Sequence, residues 1–176
     1  MVPPAVLERA RLLVGPAMEA AVDRLCVELR LPSRYHFGWT EADVSPSNAG
    51  SGKGLRPALA ILSAEAVGAP GATAVPGAVA PELVHNFSLI HNDIQDGTPE
   101  RHNRPSVWWV WGPAQGINAG DGMHALARLS LLRQTENGMP SEKALKAVAI
   151  LDTACLRLCE GQYLDLTYQE RVDISQ

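Results

Sequence analysis

The stretch HNFSLIHNDIQD, residues 85–96, is the most informative part of this chain of 176 residues. If it is a helix turning about 100° per residue, four side chains lie within roughly 60° of one another: His85, Leu89, Asn92 and Asp96. Asp93 lies at the edge of this stripe. Two carboxylates and an amide therefore share the C-terminal end of the helix. Carboxylates are unfavourable at this negative end of the helix dipole, so a bound cation would relieve the repulsion.

Magnesium suits such a helix end. It takes oxygen ligands, keeps several waters, and is usually bound through one or two carboxylates together with substrate phosphates. The pattern therefore predicts a magnesium site formed by Asn92, Asp93 and Asp96. The alternative is a solvated helix end without a ligand, and the stretch alone does not decide between the two.

The sequence on either side predicts an all-α fold. Apolar residues at steps of three and four indicate a first helix over about residues 4–29. Further helices are predicted at residues 55–67, 76–96, 107–111, 114–132 and 141–169. Ser141 is expected to cap the last of them. Residues 31–51 contain proline, glycine and polar residues without periodicity, which predicts a long loop inside a single helical domain spanning residues 1–176.

Composition narrows the class of protein. A hydrophobic content of 46% in a chain of this length can bury one sizeable core. The net charge of -4 offers no basic surface to nucleic acid. Three cysteines without CxxC spacing favour a reducing compartment. No signal peptide is recognisable, and charges interrupt every apolar stretch before it reaches membrane-spanning length. We therefore expect a cytoplasmic protein with no membrane span and no nucleic-acid partner.

Three further groups of polar residues accompany the acidic helix end. In GKGLRP, residues 52–57, Lys53 and Arg56 stand three residues apart at a helix entrance, where they and backbone N–H groups could hold a diphosphate. The other two groups lie downstream: Arg101 with His102 after the acidic helix end, and Gln162 with Asp165 on one face of the last helix. Taken alone, the two basic groups are better explained as ordinary solvated charge, and helical periodicity does not decide whether Gln162 and Asp165 face a cleft or the surface.

In this order, the segments resemble the trans-isoprenyl diphosphate synthases, or polyprenyl synthetases, from about residue 55 to residue 174. The resemblance implies the front half of an isoprenoid-synthase helical bundle, with Mg²⁺ as cofactor. It implies that isopentenyl diphosphate is bound by Lys53, Arg56, His85 and His102. It further implies that residues 92–96 match the first DDxxD motif, which holds magnesium on the allylic diphosphate. Arg101, Gln162 and Asp165 are implied to act beside that allylic substrate.

The implied reaction is the head-to-tail condensation of isopentenyl diphosphate with an allylic diphosphate, giving products of farnesyl or geranylgeranyl type. Phe87 lies five residues before Asn92, about 7.5 Å along the helix. An aromatic ring at that depth would limit the length of the product, although ordinary core packing explains it equally well.

Three features depart from the family pattern. Asn92 replaces the first aspartate of the motif, and His102 replaces the second arginine of a pair. The lysine and the second aspartate-rich motif of the family's other half have no match in the chain.

These departures leave three functions open. The first is a segment of a longer synthase, or one subunit of a split enzyme, that is inactive alone. The second is a non-catalytic partner of an active synthase, which the departures favour. The third is a terpene cyclase-like protein, against which Lys53, Arg56 and His85 argue. A homodimer or heteromer is implied by the resemblance.

Overall fold

The computed structural model describes residues 5–47, 49 and 54–169, and it is built almost entirely of helices. The α-helices are α1 (Ala5–Val22), α2 (Val27–His36), α3 (Leu55–Ala66), α4 (Val75–Gln95), α5 (Val107–Trp111), α6 (Pro113–Leu132) and α7 (Ser141–Tyr168). Two short antiparallel strands, β1 (Glu100–Arg101) and β2 (Arg104–Pro105), form a hairpin. The all-α class is confirmed. In the described part of the chain, no helix has both the length and the apolar character needed to cross a bilayer.

Helices α4 and α6 form the centre of the molecule. The two backbones approach closely because α6 has glycine where α4 crosses it. A Cβ atom at Gly116 would lie 2.8 Å from Ile94 Cδ1, and one at Gly120 would overlap the His91 ring. Leu83 and Ile90 of α4 are fully buried in this contact region and the surrounding core. The C-terminal end of α4 is thereby fixed against α6.

The single first helix predicted for residues 4–29 is wrong, because two helices occupy this region. The chain turns after Val22, and the corner is held by Asp23, whose carboxylate accepts a hydrogen bond of 2.7 Å from Arg34. Leu25 and Leu29 keep the apolar spacing through the turn and pack beside Gly122 of α6. The three-to-four-residue spacing of apolar side chains therefore continues across a break in the helical backbone.

The start of the predicted loop over residues 31–51 is also wrong, because α2 continues to His36 with Pro32 buried inside it. Tyr35 and Phe37 are buried, and the Tyr35 hydroxyl donates a hydrogen bond of 2.9 Å to the carbonyl of Pro105. Tertiary packing of this aromatic segment outweighs the weak helix propensity of its sequence. Non-helical structure begins after His36, and residues 48 and 50–51 lie outside the described part of the chain.

The remaining helices agree with the predicted bounds to within about two residues. Ser141, however, is not the cap of α7. Pro140 occupies the cap position, Ser141 is the first helical residue, and no side chain caps the helix. Helix α7 buries only a narrow strip and leaves several large apolar side chains exposed: Leu145, Ile150, Leu156 and Tyr163.

Candidate functional site

The acidic helix end comprises residues 92–96, at the C-terminus of α4. Its two carboxylates lie in different environments. Asp93 is only 2% exposed and is held by Arg101. Arg101 Nε donates to Oδ1 at 2.9 Å and to Oδ2 at 3.0 Å, and Nη2 donates to Oδ1 at 2.7 Å. Such a charge-assisted pair is among the stronger polar interactions in proteins. Both oxygens of Asp93 are therefore engaged inside the protein.

Asn92 and Asp96 lie one turn apart, with Asn92 half-buried and Asp96 exposed. The backbone N–H of Asp96 closes the helix by donating to the carbonyl of Asn92 at 2.8 Å. These two residues share a stripe of α4 from which Asp93 is displaced. The structure thus places Asn92 and Asp96 one helical turn apart and engages the third predicted ligand, Asp93, with Arg101.

A groove of about 200 Å³ runs between α4 and α7, beside Asn92. Its walls include Phe87 and Asn92 of α4 with Gln162 and Tyr163 of α7. The structure therefore brings Gln162 to the acidic helix end, 70 positions away in the sequence. Asp165 is exposed and is not among the residues that line the groove. Tyr163 is a lining residue that the sequence reasoning did not single out.

Phe87 lies deep in the groove wall and is 8% exposed. Its ring packs edge-on against His91, with ring centres 5.4 Å apart, and against His124 of α6 at 4.8 Å. The predicted depth below Asn92 is consistent with this position. A role in limiting product length stays a prediction.

Next to the acidic helix end lies a group of basic residues that we name the cationic cluster after its two arginines, Arg56 and Arg101; His36, His85 and His102 lie beside them. Burial, together with the nearby charges of Arg56 and Arg101, lowers the pKa of His85 to about 4. His85 is therefore neutral at pH 7 and can donate one N–H to an anion. Lys53, predicted to join Arg56 and His85, lies outside the described residues.

His36 is the member of the cationic cluster that the sequence reasoning missed. Its Nε2–H donates to Asn86 Oδ1 at 3.0 Å, and Asn86 Nδ2 donates to the carbonyl of Glu82 at 2.7 Å. The pKa of His36 is lowered to about 4, chiefly by burial and also by the charge of Arg101, with the bond to Asn86 opposing the shift. His36 belongs to a segment predicted to be a loop, so no local pattern indicated a position beside α4.

The β1–β2 hairpin positions the basic residues that follow α4. His102 and Asn103 both have positive φ, 53° and 61°, which is the conformation of a type I′ two-residue turn. Arg101 and Arg104 face each other across the turn. Arg101, His102 and His36 line one small pocket together with Asp93. The tight turn therefore presents His102 beside the buried ion pair.

Magnesium fits the open face of the acidic helix end. The available donors are an amide oxygen from Asn92 and a carboxylate from Asp96, both hard oxygen ligands. A single carboxylate is a weak cage for a strongly hydrated cation. The donor set is therefore suited to an ion that also takes oxygens from a bound phosphate.

Comparison with known proteins identifies the class. The fold is an all-α bundle with an acidic helix end beside a cationic cluster. The family model for polyprenyl synthetases matches residues 42–176, and the chain belongs to this family.

The chain is 39% identical over 170 residues to a (2E,6E)-farnesyl diphosphate synthase of Mycobacterium tuberculosis, covering 97% of this chain and 46% of the relative. It is also 39% identical over 171 residues to a geranylgeranyl diphosphate synthase of that organism, covering 97% and 48%. The crystal structure of a polyprenyl synthetase from Streptomyces coelicolor A3(2) matches with a TM-score of 0.90 and 47% identity, over 97% of this chain and 49% of that one. The chain thus spans about half the length of these relatives.

Proposed function

We propose that this chain supplies the substrate-binding half of a magnesium-dependent trans-prenyl diphosphate synthase of farnesyl or geranylgeranyl type. The observation that carries the proposal is the groove that joins Asn92 to Gln162 next to the cationic cluster. The farnesyl and geranylgeranyl diphosphate synthases among the relatives support the substrate class. The reaction is the head-to-tail condensation of isopentenyl diphosphate with an allylic diphosphate.

In this proposal, Arg56 and His85 bind the diphosphate of isopentenyl diphosphate, together with Lys53. Arg56 lies in the first turn of α3, where backbone N–H groups and the helix dipole favour an anion. Neutral His85 contributes a hydrogen bond rather than a charge. His102, which is exposed, is placed to donate a hydrogen bond to the same diphosphate.

Asn92 and Asp96 would hold Mg²⁺, which neutralises charge on the departing diphosphate of the allylic substrate when it is bound. Asp93 was predicted to share this role, but its carboxylate is occupied by Arg101. We assign Asp93 a positioning role, holding Arg101 at the edge of the diphosphate site. A direct metal contact by Asp93 stays a prediction.

The groove contributes shielding and shape. Phe87, Gln162 and Tyr163 line its walls, so an allylic chain lying there is separated from solvent. Phe87 lines this groove one to two turns before Asn92, where its ring would stop a growing chain. Asp165 does not line this groove, so its predicted catalytic role has no support from this position.

A non-catalytic partner subunit is the second candidate. The observation that favours it is that Asp96 supplies the one carboxylate on the open face, because Asn92 replaces an acid and Asp93 is engaged. The terpene cyclase alternative is disfavoured by the retained Arg56 and His85 pair. A homodimer or heteromer, for which the exposed apolar side chains of α7 offer a surface, and a cytoplasmic location both stay predictions.

Titration calorimetry of residues 1–176 with isopentenyl diphosphate tests the binding assignment. Arg56→Gln and His85→Ala are each expected to weaken binding by about tenfold, the effect of one charged or buried hydrogen bond. Arg157→Gln, which removes an exposed arginine from α7, serves as the matched control. Equal binding by all three variants and the wild type would refute the assignment of this site.

A further inference from the structure

A second group of candidate metal ligands lies between α6 and α7, apart from the acidic helix end. His124 of α6 faces Asp152 and Cys155 of α7, and one ligand atom from each lies within 4.8 Å of the other two. Asp152 and Cys155 are three residues apart, so they project from the same face of α7. Two helices therefore present nitrogen, oxygen and sulfur to one point.

The environment of His124 favours the neutral imidazole, which is the form that binds a metal. Burial lowers the pKa of His124, the charge of Arg128 lowers it further, and Asp152 and Asp121 oppose the shift. Its Nε2 atom is buried and has no hydrogen-bond partner among the described residues. A buried polar atom without a partner is costly, and a metal ion at this position would satisfy it.

Cys155 is a buried free thiol whose pKa is raised chiefly by burial. A thiol in this state is unreactive, but a transition metal displaces its proton on binding. Asp152 accepts a hydrogen bond of 2.6 Å from Arg128 Nε through its Oδ1 atom. Arg128 therefore competes with a cation for Asp152 and sets the affinity of the site.

We propose that His124, Asp152 and Cys155 bind a divalent ion of the zinc class. The bound ion would link α7 to α6. Imidazole and thiolate ligands select such ions and exclude magnesium, which prefers oxygen. Zinc–ligand bonds of 2.0–2.3 Å place tetrahedral ligands about 3.5 Å apart, so the present separations, which are within 4.8 Å, need to shorten by no more than about 1.3 Å. A water completes the fourth position. The site lies behind Phe87, whose ring packs on His124, and it is separate from the proposed diphosphate site.

The test uses Co²⁺, a spectroscopic substitute for zinc, titrated into metal-free residues 1–176 in excess magnesium. One equivalent is expected to give visible bands of a four-coordinate ion and a near-ultraviolet thiolate-to-cobalt band. His124→Gln and Cys155→Ser are expected to weaken binding by more than about 100-fold, since each removes a direct ligand. Cys159→Ser, which changes an exposed thiol one turn away, should leave binding unchanged.

Arg128→Gln keeps all three ligands, removes a positive charge that repels the ion, and frees Asp152, so it should tighten Co²⁺ binding by about tenfold. Zn²⁺ should raise the Tm of the wild type and of Cys159→Ser but not of Cys155→Ser. Circular dichroism verifies that each variant is helical, and Arg128→Gln remains a test if another variant fails to fold. A thiolate band that survives Cys155→Ser, or weaker binding by Arg128→Gln, would overturn the proposal.

Discussion

Asp93 and Asp96 belong to one motif, yet replacing them should affect different properties of the protein. Asp93→Asn removes the charge from a carboxylate that is 2% exposed and accepts three hydrogen bonds from Arg101. Asp96→Asn changes an exposed group at the end of α4. The first variant should mainly destabilise the fold, and the second should mainly weaken metal-dependent binding.

The expected change in the free energy of unfolding follows from the burial of the Asp93–Arg101 ion pair. Breaking a fully buried ion pair costs about 3–5 kcal/mol, because the remaining charge is left without a partner. Arg101 is 28% exposed, so water can solvate it when Asp93 is neutral. We therefore expect Asp93→Asn to lower the free energy of unfolding by about 2 kcal/mol, and Arg101→Gln, which strands the buried carboxylate, by about 3 kcal/mol.

Urea denaturation followed by circular dichroism measures these values, and the double variant completes the cycle. The double variant should lose less than the sum of the two single losses, with a coupling energy of at least about 1 kcal/mol. Asp96→Asn is the matched control and should stay within about 0.5 kcal/mol of the wild type. Equal losses for Asp93→Asn and Asp96→Asn, or additive losses in the cycle, would refute the positioning role of Asp93.

Three more predictions concern pH, product length and activity. The unfolded chain binds a proton near pH 6.5 that folded His36 does not bind until about pH 4, so His36 alone should account for about 2 kcal/mol of the stability lost between pH 7.5 and 5. The lowered pKa of His85 should add to that loss. His36→Gln should lose that part of the pH dependence in urea unfolding, and an unchanged profile would contradict the burial of His36. In a synthase that contains this segment, Phe87→Ala should lengthen the products seen by mass spectrometry, because it opens the groove below Asn92; an unaltered product spectrum would assign Phe87 to core packing alone. Residues 1–176 alone should give no prenyl transfer with magnesium and both substrates, since each missing charge stabiliser costs about 10²–10³ in rate; robust product that is lost on Asp96→Ala would disprove this.

Much of the fold could be predicted because hydrophobic periodicity and glycine or proline boundaries are local signals. Helix α4 was placed to within one residue, and Gln162 was expected near Asn92 through resemblance alone. The break after Val22 was missed because Leu25 and Leu29 keep a helical spacing while packing on α6. Periodicity reports which side chains are buried, but not whether the backbone between them is continuous.

The types of residue that form the candidate site could be predicted from the sequence, but the directions of their side chains could not. Helical geometry put Asp93 at the edge of the stripe, and only the β1–β2 hairpin shows that Arg101 turns back to occupy it. His36 reaches the cationic cluster through tertiary packing of α2, which no local pattern encodes. The pairing of His124 with Cys155 likewise depends on how α6 meets α7.

Calorimetry with a non-hydrolysable allylic diphosphate analogue, added to residues 1–176 with and without magnesium, tests directly whether a metal is held at the acidic helix end. We expect binding that requires magnesium, is lost in Asp96→Asn, and is strengthened in Asn92→Asp, which restores a charged ligand. Glu142→Gln, an exposed change at the start of α7, should bind like the wild type. Binding that is equal without magnesium, or unaffected by Asp96→Asn, would contradict the claim that the acidic helix end holds a metal–diphosphate complex.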